Sequence, residues 1–218
     1  MSIKRLKEFL KGVLYTVLIF LFSPAWAIFR LRVYGKARIA LDGRYIAVAR
    51  HRSYWDIILL VIAFGWRNRI HFIARKGLLK NPIFMPFVRL FSTTIGREDF
   101  TRDDFRRTLK SFRNERIIGI FPEGTTRSRV DAKAGAIRFA RHTEKELLPV
   151  RIEASGPYPP RYPFHFPQVT VTIGKAFSVS DLEEEIGPTT EERTNRNLLL
   201  SKRLMEQIDA VEARKGGG

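Results

Sequence analysis

The stretch "YIAVARHRSYWDIILLVIAF", residues 45–64, joins two apolar runs of different length through seven positions, 50–56, that hold most of its polar groups. "YIAVA" (45–49) is short and continuously apolar, as expected of a strand buried on both faces. The run after Trp55 is about twice as long and reads as a helix over 55–64. The same alternation recurs along the chain. Short runs at "IHFIA" (70–74), "STTI" (92–95), "IIGIF" (117–121), "LLPVR" (147–151) and "VTVTI" (169–173) read as strands, and residues 102–113 and 133–144 read as helices with apolar and charged faces. Strands alternating with helices predict an α/β fold, a mixed and partly parallel sheet flanked by helices.

A chain of 218 residues suits one core with attachments. The division expected is an N-terminal membrane-association motif over 1–38 and an α/β domain over 39–218 that ends in a docking helix. The formal net charge is +17, unevenly spread: residues 181–218 hold 6 basic and 9 acidic side chains, leaving 33 and 13 for the first 180. That field draws polyanions or an anionic lipid surface without choosing between them. Basic and aromatic residues do not interleave as in an RNP-type surface, so no nucleic-acid partner is expected. Without cysteine, disulfides, thiolate catalysis and cysteine-built zinc sites are excluded, and His51, His71, His142 and His165 form no close pair and no His-Glu-x-x-His motif. No metal site is expected.

"GVLYTVLIFLFSPAWAIF" (12–29) is uncharged and the most apolar part of the chain. Ser23 before Pro24 suits an N-cap followed by the first helical position, so two short helices are expected, each arm too short to cross a bilayer that needs about 20 apolar residues. Basic residues flank both ends (Lys4, Arg5, Lys7 and Lys11; Arg30, Arg32, Lys36 and Arg38), which favours a hairpin dipping into one leaflet over a single transmembrane helix. "AWA" (25–27) also imitates a signal-peptide cleavage site, the weaker reading. The five prolines of "SGPYPPRYPFHFP" (155–167) predict an ordered extended loop, a connector in preference to a cleft wall. Near the C-terminus, Thr189 and Glu192 have capping-box spacing, and Leu200, Leu204, Ile208 and Val211 fall on one helical face.

Three segments carry groups suited to chemistry. In "HRSYWD" (51–56), His51 follows a strand, where open α/β sheets build sites. Five residues of regular helix turn through roughly 500°, leaving His51 and Asp56 about 140° apart. The two meet only if His51 lies in the loop and Asp56 in the first helical turn, with the carboxylate fixing the imidazole tautomer. The plain alternative is a surface histidine beside an aspartate that complements the helix dipole. "IIGIFPEGTTRS" places Pro122, Glu123, Gly124, Thr125, Thr126 and Arg127 directly after a strand, with amides, hydroxyls and a guanidinium suited to anionic oxygens. In "STTIGR", Arg97 offers a donor fork of the kind that binds phosphate.

In this order, the three segments resemble the 1-acylglycerol-3-phosphate (lysophosphatidic acid) acyltransferases, glycerolipid enzymes with a His-x4-Asp motif. His51 and Asp56 match that motif, Arg97 the second block, Phe121-Pro122-Glu123-Gly124 the third and Pro149 the fourth. "ARKGLLKNPIF" (74–84) and "KAGAIRFA" (133–140) add to the likeness, which covers roughly residues 36–180. There are two departures: Arg50 stands where members often have asparagine, and Thr126 is an extra residue in "GTTRS".

The resemblance implies acyl transfer from a thioester, on acyl carrier protein or coenzyme A, to the sn-2 hydroxyl of lysophosphatidic acid, with phosphatidic acid as product and no cofactor. His51 would be the general base oriented by Asp56, without a covalent enzyme intermediate. Arg97 and Arg127, with Thr125 beside them, would hold the phosphate. Glu123 and Gly124 would shape the glycerol pocket, and Lys76 would be a further phosphate ligand. The implied location is the cytoplasmic face of the cell membrane, against an anionic leaflet. The rival readings are a lipid or thioester hydrolase and a non-catalytic basic membrane- or RNA-binding protein.

Overall fold

The structure, a computed structural model, describes residues 3–80, 82, 85–96, 101–124, 134–161, 166–187 and 193–212. Seven strands form one sheet: β1 (Arg32–Tyr34), β2 (Tyr45–Ala49), β3 (Ile70–Arg75), β4 (Ser92–Ile95), β5 (Ile117–Ile120), β6 (Glu146–Ser155) and β7 (Gln168–Ile173). Their order is β1-β7-β6-β2-β5-β3-β4, and every neighbouring pair is parallel except β6 with β7. The mixed, partly parallel sheet read from the sequence is therefore present. Edge strand β1 is the addition, a three-residue run beginning with an arginine that no periodicity announces.

All five residues of β2 are buried because helices cover both faces of the sheet. Tyr45, Ala47 and Ala49 join Ile70, Phe72, Val150 and Val171 beneath α3 (Trp55–Phe64), while Ile46 and Val48 join Ile118 and Leu147 beneath the helices opposite. Those helices are α5 (Arg102–Asn114), α6 (Gly135–Thr143), α7 (Val179–Ile186) and α8 (Arg193–Asp209), with α4 (Met85–Phe91) leading into β4. Each fully buried aliphatic or phenyl side chain here contributes on the order of 1.5–3 kcal/mol. α5 opens on a capping box in which Thr101 Oγ1 accepts from Asp104 N at 3.1 Å and Asp104 Oδ2 accepts from Thr101 N at 3.3 Å. The capping box expected at Thr189 and Glu192 lies outside the described residues. The face expected on α8 is buried as read: Leu200, Leu204 and Ile208 are at most 1% exposed, and Val211 packs just beyond.

The N-terminus forms two helices of unequal length, α1 (Ile3–Phe22) and α2 (Pro24–Ile28). Ser23 stands before Pro24 as read, yet its side chain caps nothing. Its backbone stays helical (φ −55°, ψ −30°) and its hydroxyl donates to the Phe20 carbonyl at 2.7 Å, so the break is a kink. One side of α1 is fastened to the domain. Tyr15, 1% exposed, accepts from Ile70 N through its hydroxyl at 3.2 Å, and Lys11 Nζ meets Glu115 Oε1 at 3.2 Å. Arg69 bridges Glu8 at 2.7 Å and Glu115 at 3.4 Å. Beneath this network, burial, partly offset by Glu115, pushes the His71 imidazole down to about 4 and so keeps it neutral.

β5 runs between β2 and β3, and Gly119 lets it do so without crowding. A Cβ there would come within 2.7 Å of the Phe72 ring and 2.8 Å of Ile70 Cγ2. Gly119→Ala is expected to lower stability by about 1–3 kcal/mol through overpacking, read as a lower denaturant midpoint at an unchanged slope.

Candidate functional site

The carboxyl ends of three adjacent parallel strands converge on one place. β2 ends at Ala49 and delivers Arg50 and His51; β5 ends at Ile120 and delivers Phe121 through Gly124; β3 ends at Arg75. Ligands bind at such edges because the chain there leaves the ladder for a loop, with its side chains and amides turned outward.

His51 lies in the loop and Asp56 is the second residue of α3, as their meeting requires. His51 Nδ1 is 3.1 Å from Asp56 Oδ2. The same oxygen accepts from Arg52 N at 2.7 Å and Ser53 N at 2.8 Å, and Asp56 is 1% exposed. One carboxylate thus folds the loop back over the helix start and holds the imidazole, so the helix-start and catalytic readings describe the same side chain. A neutral imidazole donating from Nδ1 to this carboxylate leaves Nε2 as the acceptor for a substrate proton. The ring stacks on Phe121, centroids 4.1 Å apart, and Phe121 lies parallel over Phe72 at 6.2 Å.

Glu123, 8% exposed, accepts from His51 N at 2.9 Å with one oxygen and from Arg50 Nη1 at 2.9 Å with the other. Arg50 continues to α8, where its Nε and Nη2 donate to the two oxygens of Asp209 at 2.6 and 2.5 Å. Hydrogen bonding to Asp209 in the first place, and to Glu123, pushes the guanidinium further above its ordinary range. Both Glu123 oxygens are therefore engaged by the chain itself. Gly124 has φ +61°, which favours glycine, and its carbonyl accepts from Arg75. Lys76 sits about half exposed at the start of a 3₁₀ turn, with Nζ 3.3 Å from Asp104 Oδ1. Pro149 is in β6 beside Val48 of β2, one strand from the histidine. Arg97, Thr125 and Arg127 lie outside the described residues.

Sequence reasoning missed the proline-rich loop. Tyr158 in that loop donates its hydroxyl to Asp56 Oδ1, so the segment joins the site instead of merely connecting two strands. No spacing rule pairs residues about a hundred positions apart. In the sequence Arg50 is only a departure from the family pattern; its pairing with Asp209 depends on where α8 ends. Among the described residues no group of three or more histidine, aspartate or glutamate side chains could hold a metal ion. A cavity of about 720 Å³, whose lining includes Arg38, Phe177 and Gln207, contains neither His51 nor Asp56.

The family described as Acyltransferase matches residues 30–153. The chain is 25% identical over 181 residues to a 1-acyl-sn-glycerol-3-phosphate acyltransferase of Bacillus subtilis, covering 80% of this chain and 89% of that protein. It is 27% identical over 168 residues to the protein of the same name in Streptococcus pneumoniae, covering 76% of this chain and 62% of that one. The crystal structure of the 1-acyl-sn-glycerophosphate acyltransferase PlsC from Thermotoga maritima shares the fold, with a TM-score of 0.69 at 20% identity over 96% of this chain and 84% of that one.

The Glu123 clamp makes a testable claim. Glu123→Gln removes the charge that pairs with Arg50 and is expected to cost about 1.5–3 kcal/mol, the range for hydrogen bonds to charged groups. Asp209→Asn, at a half-exposed carboxylate, is expected to cost less than about 1 kcal/mol. Chemical denaturation of the two variants beside the parent checks the difference.

Proposed function

The chain belongs to the acyltransferase family, and on that premise we propose that it moves an acyl group from a thioester, on acyl carrier protein or coenzyme A, to the sn-2 hydroxyl of lysophosphatidic acid, giving phosphatidic acid. The observation that carries the reading is the 3.1 Å contact between His51 Nδ1 and the buried Asp56 carboxylate at the carboxyl edge of the sheet, inside the matched segment. The shared name of the curated relatives supports the substrate class.

The acceptor alcohol is a poor nucleophile. His51 Nε2 takes its proton as the oxygen attacks the thioester carbonyl, and Asp56 stabilises the imidazolium that forms. The tetrahedral intermediate collapses to the ester, and Nε2 returns the proton to the departing thiolate. The acyl group passes directly from sulfur to oxygen, which agrees with a chain that has no cysteine and no Gly-x-Ser-x-Gly elbow. Arg97, Thr125 and Arg127 are assigned to the acceptor phosphate, and Lys76 is a further candidate for it. Glu123 and Gly124 are assigned to the wall next to the glycerol.

An assay with label in the acyl chain of the donor, run across several lysolipids, tests this reading. Label is expected in phosphatidic acid, and His51→Ala is expected to lower the rate by about 10²- to 10⁴-fold in a folded protein, the usual worth of a positioned base. Label accumulating as free fatty acid would instead identify a hydrolase, and salt-sensitive RNA binding without turnover would identify a basic adaptor.

The domain is proposed to rest on the cytoplasmic, anionic face of the membrane through α1 and α2. The segment Arg5–Ile28 is long and apolar enough to cross. However, Tyr15, Ala25 and Phe29 are buried against the domain, while Phe9, Val17, Phe20, Leu21 and Trp26 are exposed on the outer side. A crossing helix would give up the buried contacts, whereas one lying in the leaflet keeps them and covers the exposed stripe with lipid. Because removing α1 and α2 would also strip side chains from the core, substitution is the cleaner test than deletion. Val17→Glu, Phe20→Glu and Leu21→Glu together are expected to weaken binding to anionic vesicles by more than about tenfold with little change in melting temperature. Tags before Met1 and after Gly218 are expected to be protected alike from protease added outside sealed cells.

A further inference from the structure

We infer that Tyr158 is a positioning residue for the catalytic pair: by donating to the second oxygen of Asp56, it completes the shell of donors that sets how strongly the carboxylate holds the protonated histidine. The inference rests on the functional reading above and adds to it a residue outside the matched segment, which ends at residue 153.

Asp56 Oδ2 already accepts from Arg52 N, Ser53 N and His51 Nδ1. Oδ1 accepts from Tyr158. With Asp56 at 1% exposure, water does not substitute for that donor, so the phenol decides whether half of the carboxylate is solvated by the protein or bare. Burial first, then the charge of Asp56 and the hydrogen bond to it, push the Tyr158 phenol far above its ordinary value. It therefore stays a donor across the working pH range and carries no proton away. Ser53 is a side-chain hydrogen-bonding neighbour of the Tyr158 phenol, and the tyrosine packs against the core.

The loop that presents Tyr158 is fixed at both ends. The β6–β7 ladder closes at Ser155 opposite Gln168, Gly156 at φ +121° turns the chain out of β6, and Phe166 packs edge-on against Phe29 at 5.5 Å. Phe29 in turn meets Trp55 at 5.0 Å, in the first turn of the helix that bears Asp56. Among the described residues, the titratable and charged groups near the pair include Tyr158 from this loop, Tyr54 from the His51 loop, Arg52, whose charge acts on Tyr158, and Glu123 through the His51 amide. Of these side chains only Tyr158 donates to the carboxylate. Removing its hydroxyl concentrates negative charge on Asp56, which favours the imidazolium over the neutral base.

Tyr158→Phe keeps the ring and removes the donor. The acid limb of kcat/KM against pH is expected to move up by about one pH unit, with kcat on the acid side lower by about tenfold and KM for the acceptor unchanged. The ring signals of His51, identified by their loss in His51→Ala, are expected to titrate at correspondingly higher pH in an NMR series that needs no turnover. Ser53→Ala, which removes a hydroxyl that neighbours the Tyr158 phenol, is expected to act in the same direction by less, and it supplies the reading if Tyr158→Phe does not fold. Unmoved titration in the folded variants, or a loss confined to KM or melting temperature, overturns the inference. A parent that transfers no acyl group overturns the functional reading instead, and the NMR titration still decides the role of Tyr158.

Discussion

A carboxylate removed from water needs donors in place of the solvent it has lost, and Asp56, 1% exposed, is such a group. Its donors come from two places: the loop directly before it, through Arg52, Ser53 and His51, and a loop between β6 and β7 about a hundred residues later, through Tyr158. Meeting that requirement bends the His51 loop over the start of α3, sets the imidazole against Phe121, and draws the proline-rich segment onto the site. The proline-rich loop is held by this carboxylate through Tyr158, and the loop after β5 by Glu123 through the His51 amide.

The sheet makes that arrangement possible. β2 and β5 are parallel neighbours in register, Val48 beside Ile120, so the loops after them emerge side by side and Glu123 reaches the His51 amide. The antiparallel β6–β7 pair lies on the other side of β2 and returns its loop to the same edge. Arg50 then ties this edge to the last residue of α8, so the C-terminal helix both closes the second core and steadies the loop carrying the histidine.

Charge and apolarity divide the work at the N-terminus. The inward side of α1 holds Lys11 and Tyr15, which are matched by Glu115 and the Ile70 amide, while its outward side is a run of exposed hydrophobics. A helix with both features is committed to the domain on one side and suited to lipid on the other. That construction relates the site to the place where a membrane-bound acceptor would be found.

The alternation of short and long apolar runs was enough to place six of the seven strands and the helices 55–64, 102–113 and 133–144, because period and length are local properties. The spacing of His51 and Asp56 left their pairing as one of two readings, and the family resemblance pointed to it; the contact itself is a tertiary fact. β1 was not legible: three residues at an edge carry no period, and they form a strand only because β7 offers a partner. Nor were the Arg50 contacts with Glu123 and Asp209, or the Tyr158 hydroxyl on Asp56, since those partners lie 73, 159 and 102 positions away. The sequence by itself determined which groups stand at the ends of the strands; only the tertiary structure decided which of them touch, because a buried charge is matched by whatever donor the fold brings to it, however distant in the chain.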